Sequence, residues 1–303
     1  MGRPVQDCAL AVFCRLDLGY HAQFVQCMEL AGMSSSRLPT LYIPHGGGPC
    51  FFMDPFPGYP PTLWDKMAAY LRGIPAAIGQ RPKAMLVISG HWECPQPTVL
   101  HAEKHTLLFD YYGFPEHTYR LTYPAVGSAQ VAMRVHELLA AAGMPAEEEH
   151  ERGLDHGVFV PFKLIYPDAD VPIVQLSLLH NLDPGIHLAM GRALAPMRDE
   201  GVLIVGSGNS YHNLREFFSP GKDAGALSAQ FDAWLGAAVE SPGPERERLL
   251  THWHEAPGAR ASHPRSEHLL PLMVVAGAAG NDAGRVVYRE QMFGKMFSGY
   301  QFG

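Results

Sequence analysis

The chain of 303 residues is predicted to be an α/β protein, a single-domain sandwich whose largely parallel central sheet is flanked by helices. Three observations lead there. Short runs rich in Val, Ile and Leu lack polar alternation, the pattern of strands covered on both faces. Longer segments with Pro near their starts or Gly at their ends lie between those runs and read as helices. Apolar residues make up 47% and charged residues 17%, the balance of an ordinary globular chain. Strands alternating with helices build a parallel sheet with helices on its faces, and ligands gather at the carboxyl ends of such strands.

Taken in order, residues 1–32 differ in composition from the rest of the chain, and Met33 opens Met-Ser-Ser-Ser-Arg-Leu-Pro just ahead of the first strand. Residues 1–32 are therefore expected to be a dispensable extension and residues 33–303 the catalytic domain. Residues 41–43 read as a short buried strand, and 84–89 as a longer one bounded by Pro82 and Gly90. Residues 171–179 and 202–205 complete the clear strands. Helices are expected over 61–71, 128–142 (closed by Gly143), 184–198, 224–238 and 265–276, with Pro61 and Pro184 at starts where a missing N–H costs little. The Gly/Pro-rich stretches 44–61 and 241–245 read as loops. The first carries Phe51, Phe52, Phe56 and Tyr59, and either walls a pocket for an aromatic ligand or packs over the sheet edge.

Charge and cysteine content narrow the function. A formal net charge of −7 argues against nucleic acid, which needs a basic face, and no Lys/Arg-rich stretch would recruit a membrane surface. No segment reaches the ~20 apolar residues of a membrane span, and residues 8–14 are too short an apolar run for a secretory signal. Cys8, Cys14, Cys27, Cys50 and Cys94 are odd in number and form no CxxC pair, which fits a reducing cytoplasm better than a disulfide framework. Cys50 and Cys94 lie close to singled-out histidines, but small packed thiols are the more frequent outcome.

Four histidines stand where core elements end. His45 follows Leu-Tyr-Ile-Pro44 and precedes three glycines; His91 follows Met85-Leu-Val-Ile-Ser-Gly90. His212 follows Val202-Leu-Ile-Val-Gly-Ser-Gly-Asn-Ser-Tyr211, and His268 lies in His263-Pro-Arg-Ser-Glu-His-Leu-Leu-Pro271. Imidazoles gathered at the ends of core elements can build a metal site with an open face. Other chemistries lack their motifs. There is no P-loop, no GxGxxG opening a helix and no His-Glu-x-x-His. Ser207 lies in Val-Gly-Ser-Gly-Asn, not in a Gly-x-Ser-x-Gly elbow.

Six segments occur in an order that carries a resemblance: His45-Gly-Gly-Gly-Pro, Val-Ile-Ser-Gly-His91-Trp-Glu, Gly153-Leu-Asp-His156-Gly-Val-Phe-Val-Pro-Phe-Lys, Tyr166-Pro-Asp-Ala-Asp170-Val-Pro-Ile-Val-Gln-Leu-Ser177, Gly-Ser-Gly-Asn-Ser-Tyr-His212-Asn-Leu-Arg and Glu267-His268-Leu-Leu-Pro-Leu. From about Leu38 onward the chain resembles the class III extradiol ring-cleavage dioxygenases, in the DOPA-dioxygenase-like branch of the LigB superfamily. The resemblance implies that His45, His91 and His268 hold one divalent metal. It makes His212 an acid/base, though some descriptions of the branch count that position as a fourth zinc ligand. His156 would contact substrate or oxygen. Glu267 keeps open the carboxylate ligand of more distant members. The chain departs from the pattern at Gly90 (alanine is usual), at Tyr211 (a small aliphatic is usual) and in the glycine run after His45.

The implied activity is Fe(II)-dependent opening of a small, DOPA-like catechol with O₂, with Zn²⁺ able to occupy the site. Three protein ligands on one face leave open positions for both hydroxyls and O₂. An imidazole can take the second hydroxyl's proton and later return one. A zinc hydrolase acting through bound water is the enzyme alternative, and a non-enzymatic Memo-like binding protein is the other. Smaller features stay open. His156 could instead cap the helix opening near Val158, and Asp155 could orient a ring or be that cap. Tyr111-Tyr-Gly-Phe-Pro115 could line the pocket or pack in the core. His101 and His105, four apart, sit in a strand and turn, which argues against a helical metal clasp. His252 and His254 flank Trp253 in what reads as a charged surface helix.

Overall fold

The computed structural model describes residues 37–55, 58–218 and 221–303. The first strand is β1 (Thr40–Pro44), followed by α1 (Asp65–Ile78), β2 (Ala84–Cys94), β3 (Thr98–Leu100) and α2 (Ala129–Ala141). Next come β4 (Glu147–Glu149), α3 (His156–Ile165), β5 (Ile173–Leu179), α4 (Pro184–Leu194) and β6 (Val202–Gly208). The chain continues through α5 (Leu214–Phe218), α6 (Ala224–Glu240), α7 (Gly243–Thr251), α8 (Ala259–Ser262) and α9 (Leu270–Ala279), and closes with β7 (Gly284–Met292) and β8 (Lys295–Phe302). These eight strands form one sheet, in the order β4-β3-β5-β2-β6-β1-β8-β7.

The four central strands, β5, β2, β6 and β1, are parallel. Leu86 of β2, for example, is flanked by Val174 of β5 and Ile204 of β6. The outer strands break that direction: β3 runs antiparallel to β5, and β8 to both β1 and β7. Alternate residues of the central strands feed two cores. Leu86, Ile88 and Ile204 pack with Leu188 of α4 and Val274 of α9 on one face. Met85, Val87 and Leu203 pack with Leu71 of α1 and Phe159 of α3 on the other. This is the α/β sandwich expected from the apolar runs. Two-sided burial explains why those runs show no alternation.

Several boundaries differ for identifiable reasons. β2 continues past the expected end at residue 89, because its pairing with β5 is interrupted between Ile88 and Glu93 and then resumes. His91 therefore lies within an irregular stretch of strand, not beyond it. The helix expected from Pro61 begins only at Asp65, and Gly79, at φ 68°, ends it. The helix expected over 184–198 tightens at Pro196, whose missing N–H breaks the α pattern, into a 3₁₀ turn. The helix expected from residue 265 starts at Leu270, with Pro271 in its first turn. His268 thereby lies in the turn ahead of the helix. Gly243 opens α7 inside the stretch read as a loop. The β7/β8 hairpin went unpredicted: only its β8 half is nearly all buried, and β7 mixes exposed and buried positions. Residues 1–32 and Phe56 lie outside the described residues.

Candidate metal centre

Parallel strands deliver their carboxyl ends to one edge of the sheet, and the singled-out histidines meet there. His45 directly follows β1, and its N–H donates to the Gly208 carbonyl at the end of β6 (3.1 Å). His91 comes from the irregular part of β2, and His156 is the first residue of α3. His212 follows β6, with its N–H donating to the Ser262 carbonyl (2.9 Å). The turn carrying His268 presses against β6, and its carbonyl accepts from the Tyr42 hydroxyl (2.7 Å) and the Asn209 N–H (3.2 Å). Gly208 makes that approach possible: a Cβ there would stand 2.1 Å from the His268 oxygen. Gly157 does the same under His91, where a Cβ would meet the ring at 2.9 Å.

Three ring nitrogens converge. His91 Nε2 lies 3.2 Å from His45 Nε2 and 3.1 Å from His268 Nε2. The opposite side of two of these rings fixes the tautomer. The Ser207 hydroxyl donates to the Gly157 carbonyl, so its oxygen accepts from His45 Nδ1 at 3.0 Å. Glu267 Oε1 accepts from His268 Nδ1 at 3.0 Å. Both rings therefore turn bare Nε2 lone pairs toward His91. Burial above all, then the neighbouring imidazoles, holds His45 and His268 well below the ordinary histidine range. His91 is lowered to about 4, again first by burial. Neutral imidazoles with converging lone pairs are a donor set for a cation. Cis ligands about 2.1 Å from one ion stand roughly 3.0–3.4 Å apart, a range that brackets these separations.

Around this set lies a second group. His212, Glu267 and His268 offer ligand atoms within 4.8 Å of one another, as do His45, His91 and His156. The His91–His268 contact joins the two groups. The ring of His212 stacks on that of His268, centroids 3.4 Å apart and planes 17° apart, and its Nδ1 lies 3.0 Å from the same Glu267 oxygen. Burial raises the Glu267 carboxyl, but the hydrogen bond and charge of His212 outweigh it and leave the group below its usual range. His156 does not cap α3. Its Nδ1 donates to Asp110 Oδ1 (2.7 Å), and its ring lies 4.0 Å from that of His91.

Asp155 occupies the position before α3 without making a side-chain cap. Fully buried, it accepts from Ser89 Oγ (2.7 Å), Gln175 Nε2 (2.6 Å) and Arg152 Nη2 (3.0 Å). Ser89 in turn accepts from the His91 N–H at 3.2 Å, so this buried carboxylate holds the backbone of the irregular β2 stretch. Asp110 has no role in the sequence reading. Its only signal is its place just ahead of the Tyr111–Phe114 segment. It accepts from His156 and faces His91 Nδ1 at 3.5 Å. Burial pushes its carboxyl up, but His156 and His91 hold it down at about 2.

Aromatic residues pack beside His156 and along the proline-rich loop. Tyr111 stands edge-on to His156 at 5.8 Å, with Phe114 and Phe159 behind it. Phe51 of the proline-rich loop packs on Trp64, and Tyr59 on Phe293. Tyr211, whose bulk departs from the resemblance, is turned into the core against Phe217 and Phe297. Cys50 is buried, which pushes its thiol up to about 12 and makes it a packing residue. His105 reaches the Ile173 carbonyl (2.8 Å) and so does not pair with His101. His252 and His254 are exposed around a buried Trp253, in a 3₁₀ turn past the end of α7.

Residues 39–301, which span nearly all of this sheet and all of these histidines, match the family described as the catalytic LigB subunit of aromatic ring-opening dioxygenase. The chain belongs to that family, within its extradiol, DOPA-dioxygenase-like branch. It is 40% identical to the 4,5-DOPA dioxygenase extradiol of Beta vulgaris over 205 residues, 67% of this chain and 76% of the relative. It is 36% identical to dioxygenase tasH of Hapsidospora irregularis, over 88% of this chain and 85% of that protein. The crystal structure of an uncharacterized Escherichia coli K12 protein superposes with a TM-score of 0.69 at 30% identity, covering 88% of this chain and all of that one.

Proposed function

We propose that the protein opens the aromatic ring of a small catechol next to the diol, using Fe(II) and O₂, with His45, His91 and His268 as the metal ligands. The observation that carries this reading is the convergence of the three Nε2 atoms, two of them forced into the bare tautomer by Ser207 and Glu267. Three ligands on one face leave cis positions open, which suits a substrate that chelates through two hydroxyls. When bound, Fe(II) would supply the centre at which catechol and O₂ are brought together and activated.

The remaining work falls to the chain. The Nδ1–H of His212 is engaged by Glu267, so its Nε2 is the atom that takes the second hydroxyl's proton and later returns one. His156, held by Asp110 with its ring 4.0 Å from that of His91, orients the substrate. Tyr111 and Phe114 cover an aromatic ring and exclude water. Relatives named 4,5-DOPA dioxygenase extradiol support a DOPA-like catechol as the substrate class. Zinc can take the place of iron, since nitrogen-rich sites bind it more tightly. Residues 33–303 would be the catalytic unit, working in the cytoplasm, a setting supported by the free thiols of Cys50 and Cys94.

The test is oxygen uptake by protein stripped of metal and reloaded anaerobically with Fe(II), against a panel of catechols that includes DOPA. Stoichiometric O₂ loss with a new yellow absorbance is expected. Metal bound at one per chain without any uptake would overturn the reading in favour of a zinc hydrolase. Failure to bind metal would favour a Memo-like binding protein.

A further inference from the structure

A second set of metal-binding groups lies at the edge of the sheet. His101, Glu148 and His150 bring one ligand atom each within 4.8 Å of the others. The strands build this arrangement directly. β3 and β4 run parallel with Val99 opposite Glu148 and Leu100 opposite Glu149, and the His101 N–H donates to the Glu149 carbonyl (2.7 Å). Glu148 lies within β4, and His101 and His150 each directly follow the end of their strand, β3 and β4. The two imidazoles lie 5.5 Å apart, with planes 26° from parallel.

Hydrogen-bond accounting leaves this cluster short of a positive charge. His150 Nδ1 lies 2.9 Å from the His101 carbonyl, which can only accept, so Nδ1 carries the proton of the singly protonated ring. Its Nε2 then presents a lone pair to Glu148 Oε2 at 3.1 Å, acceptor against acceptor. His101 Nδ1 is buried without a hydrogen-bond partner and faces the same carboxylate oxygen at 3.7 Å. With His101 protonated on Nε2, three electron pairs would meet with no donor between them, an arrangement a cation relieves. Their spacings span the roughly 3.4 Å that separates tetrahedral ligands 2.0–2.2 Å from a common ion.

We propose that His101, Glu148 and His150 form a second metal site, for a zinc-class divalent cation, distinct from the catalytic centre. Two imidazoles and one carboxylate match the preferences of zinc, and water fills the rest of its shell. Side-chain exposures of 25% for His101 and 52% for Glu148 leave a path by which a hydrated ion enters. The ion clasps the edge strands β3 and β4 just ahead of Arg152, which bonds Asp155 and the His91 carbonyl.

The experiment is zinc binding by full-length protein whose catalytic centre has been loaded anaerobically with Fe(II). Bound zinc and iron are counted by equilibrium dialysis and elemental analysis. The comparison is among wild type, Glu148→Gln and the His101→Ala/His150→Ala pair. Wild type should bind one zinc per chain more than the paired variant, and Glu148→Gln should weaken that zinc at least tenfold. Catechol-dependent oxygen uptake should be unchanged in both variants. If the paired variant misfolds, Glu148→Gln, which keeps the side chain's shape, still decides. Equal zinc uptake and affinity in wild type and Glu148→Gln would reduce the cluster to a His150–Glu148 ion pair and overturn the proposal.

Discussion

Glu267 offers one carboxylate oxygen to two imidazoles, His212 and His268, each at 3.0 Å. Replacing it by Gln keeps the shape and removes the charge. The two ring N–H groups then either share a neutral amide oxygen or face an NH₂ group that repels them. A hydrogen bond to a charged acceptor contributes about 1.5–3 kcal/mol, against about 0.5–1.5 kcal/mol for a neutral one. Only the His268 exchange bears on the metal, at about 1 kcal/mol, or roughly fivefold in metal affinity; the His212 exchange falls on kcat. Arg265, whose guanidinium lies 3.5 Å from Glu267 Oε2, would also lose its carboxylate neighbour. The assay is a chelator-competition titration of Fe(II) and Zn(II) on wild type and Glu267→Gln, with kcat/KM for a catechol measured in parallel. A variant whose metal affinity stays within twofold of wild type would show that Glu267 does not set the His268 donor, and the tautomer argument would fail.

The same geometry sets further outcomes. His212→Ala should lower turnover about 10²–10⁴-fold with the metal retained; loss of the metal in elemental analysis would make His212 a ligand instead. Gly208→Ala puts a methyl group 2.1 Å from the His268 carbonyl oxygen, and should cost about 3 kcal/mol and lower the melting temperature together with metal content. A normal melt would show that the 266–270 turn yields easily. Burial lowers the buried His263 to about 4, while an unfolded histidine titrates near ~6.5, so protons favour the unfolded chain between those values. Metal-free protein should therefore lose stability as pH falls from 6.5 toward 4, by roughly 3 kcal/mol from this group. Urea midpoints that stay level between pH 7 and pH 5, in wild type and His263→Asn alike, would contradict it.

Much of the frame was legible because it rests on local signals. The runs in β1, β2, β5 and β6 are apolar on both faces, and Ser128 and Pro184 mark helix starts that the structure keeps. The β7/β8 hairpin was not legible, since β8 is buried by contacts with β1 that no local pattern announces. At the site, His45, His91, His212 and His268 stand out beside glycines and apolar runs. Asp110 and Gln175 do not. Their importance lies in reaching His156 and Asp155 from distant segments, and neither a loop aspartate nor a single glutamine inside an apolar strand carries a periodic signature. The pairing of His101 with His150, in place of His105, is illegible for a related reason: two parallel strands bring together residues 49 positions apart in sequence.

The converging imidazoles also have a meaning for how the chain folds. His45 and His91 are 46 positions apart, and His91 and His268 are 177. A fragment that lacks β1, β2 or the turn ahead of α9 cannot assemble the three donors, so affinity for the ion exists only when these distant segments have come together. Any free energy of ion binding is then added to the unfolding free energy of the entire sheet, about 2.7 kcal/mol at a hundredfold excess over the dissociation constant. The supply of that ion would in this way govern how long the protein stays folded.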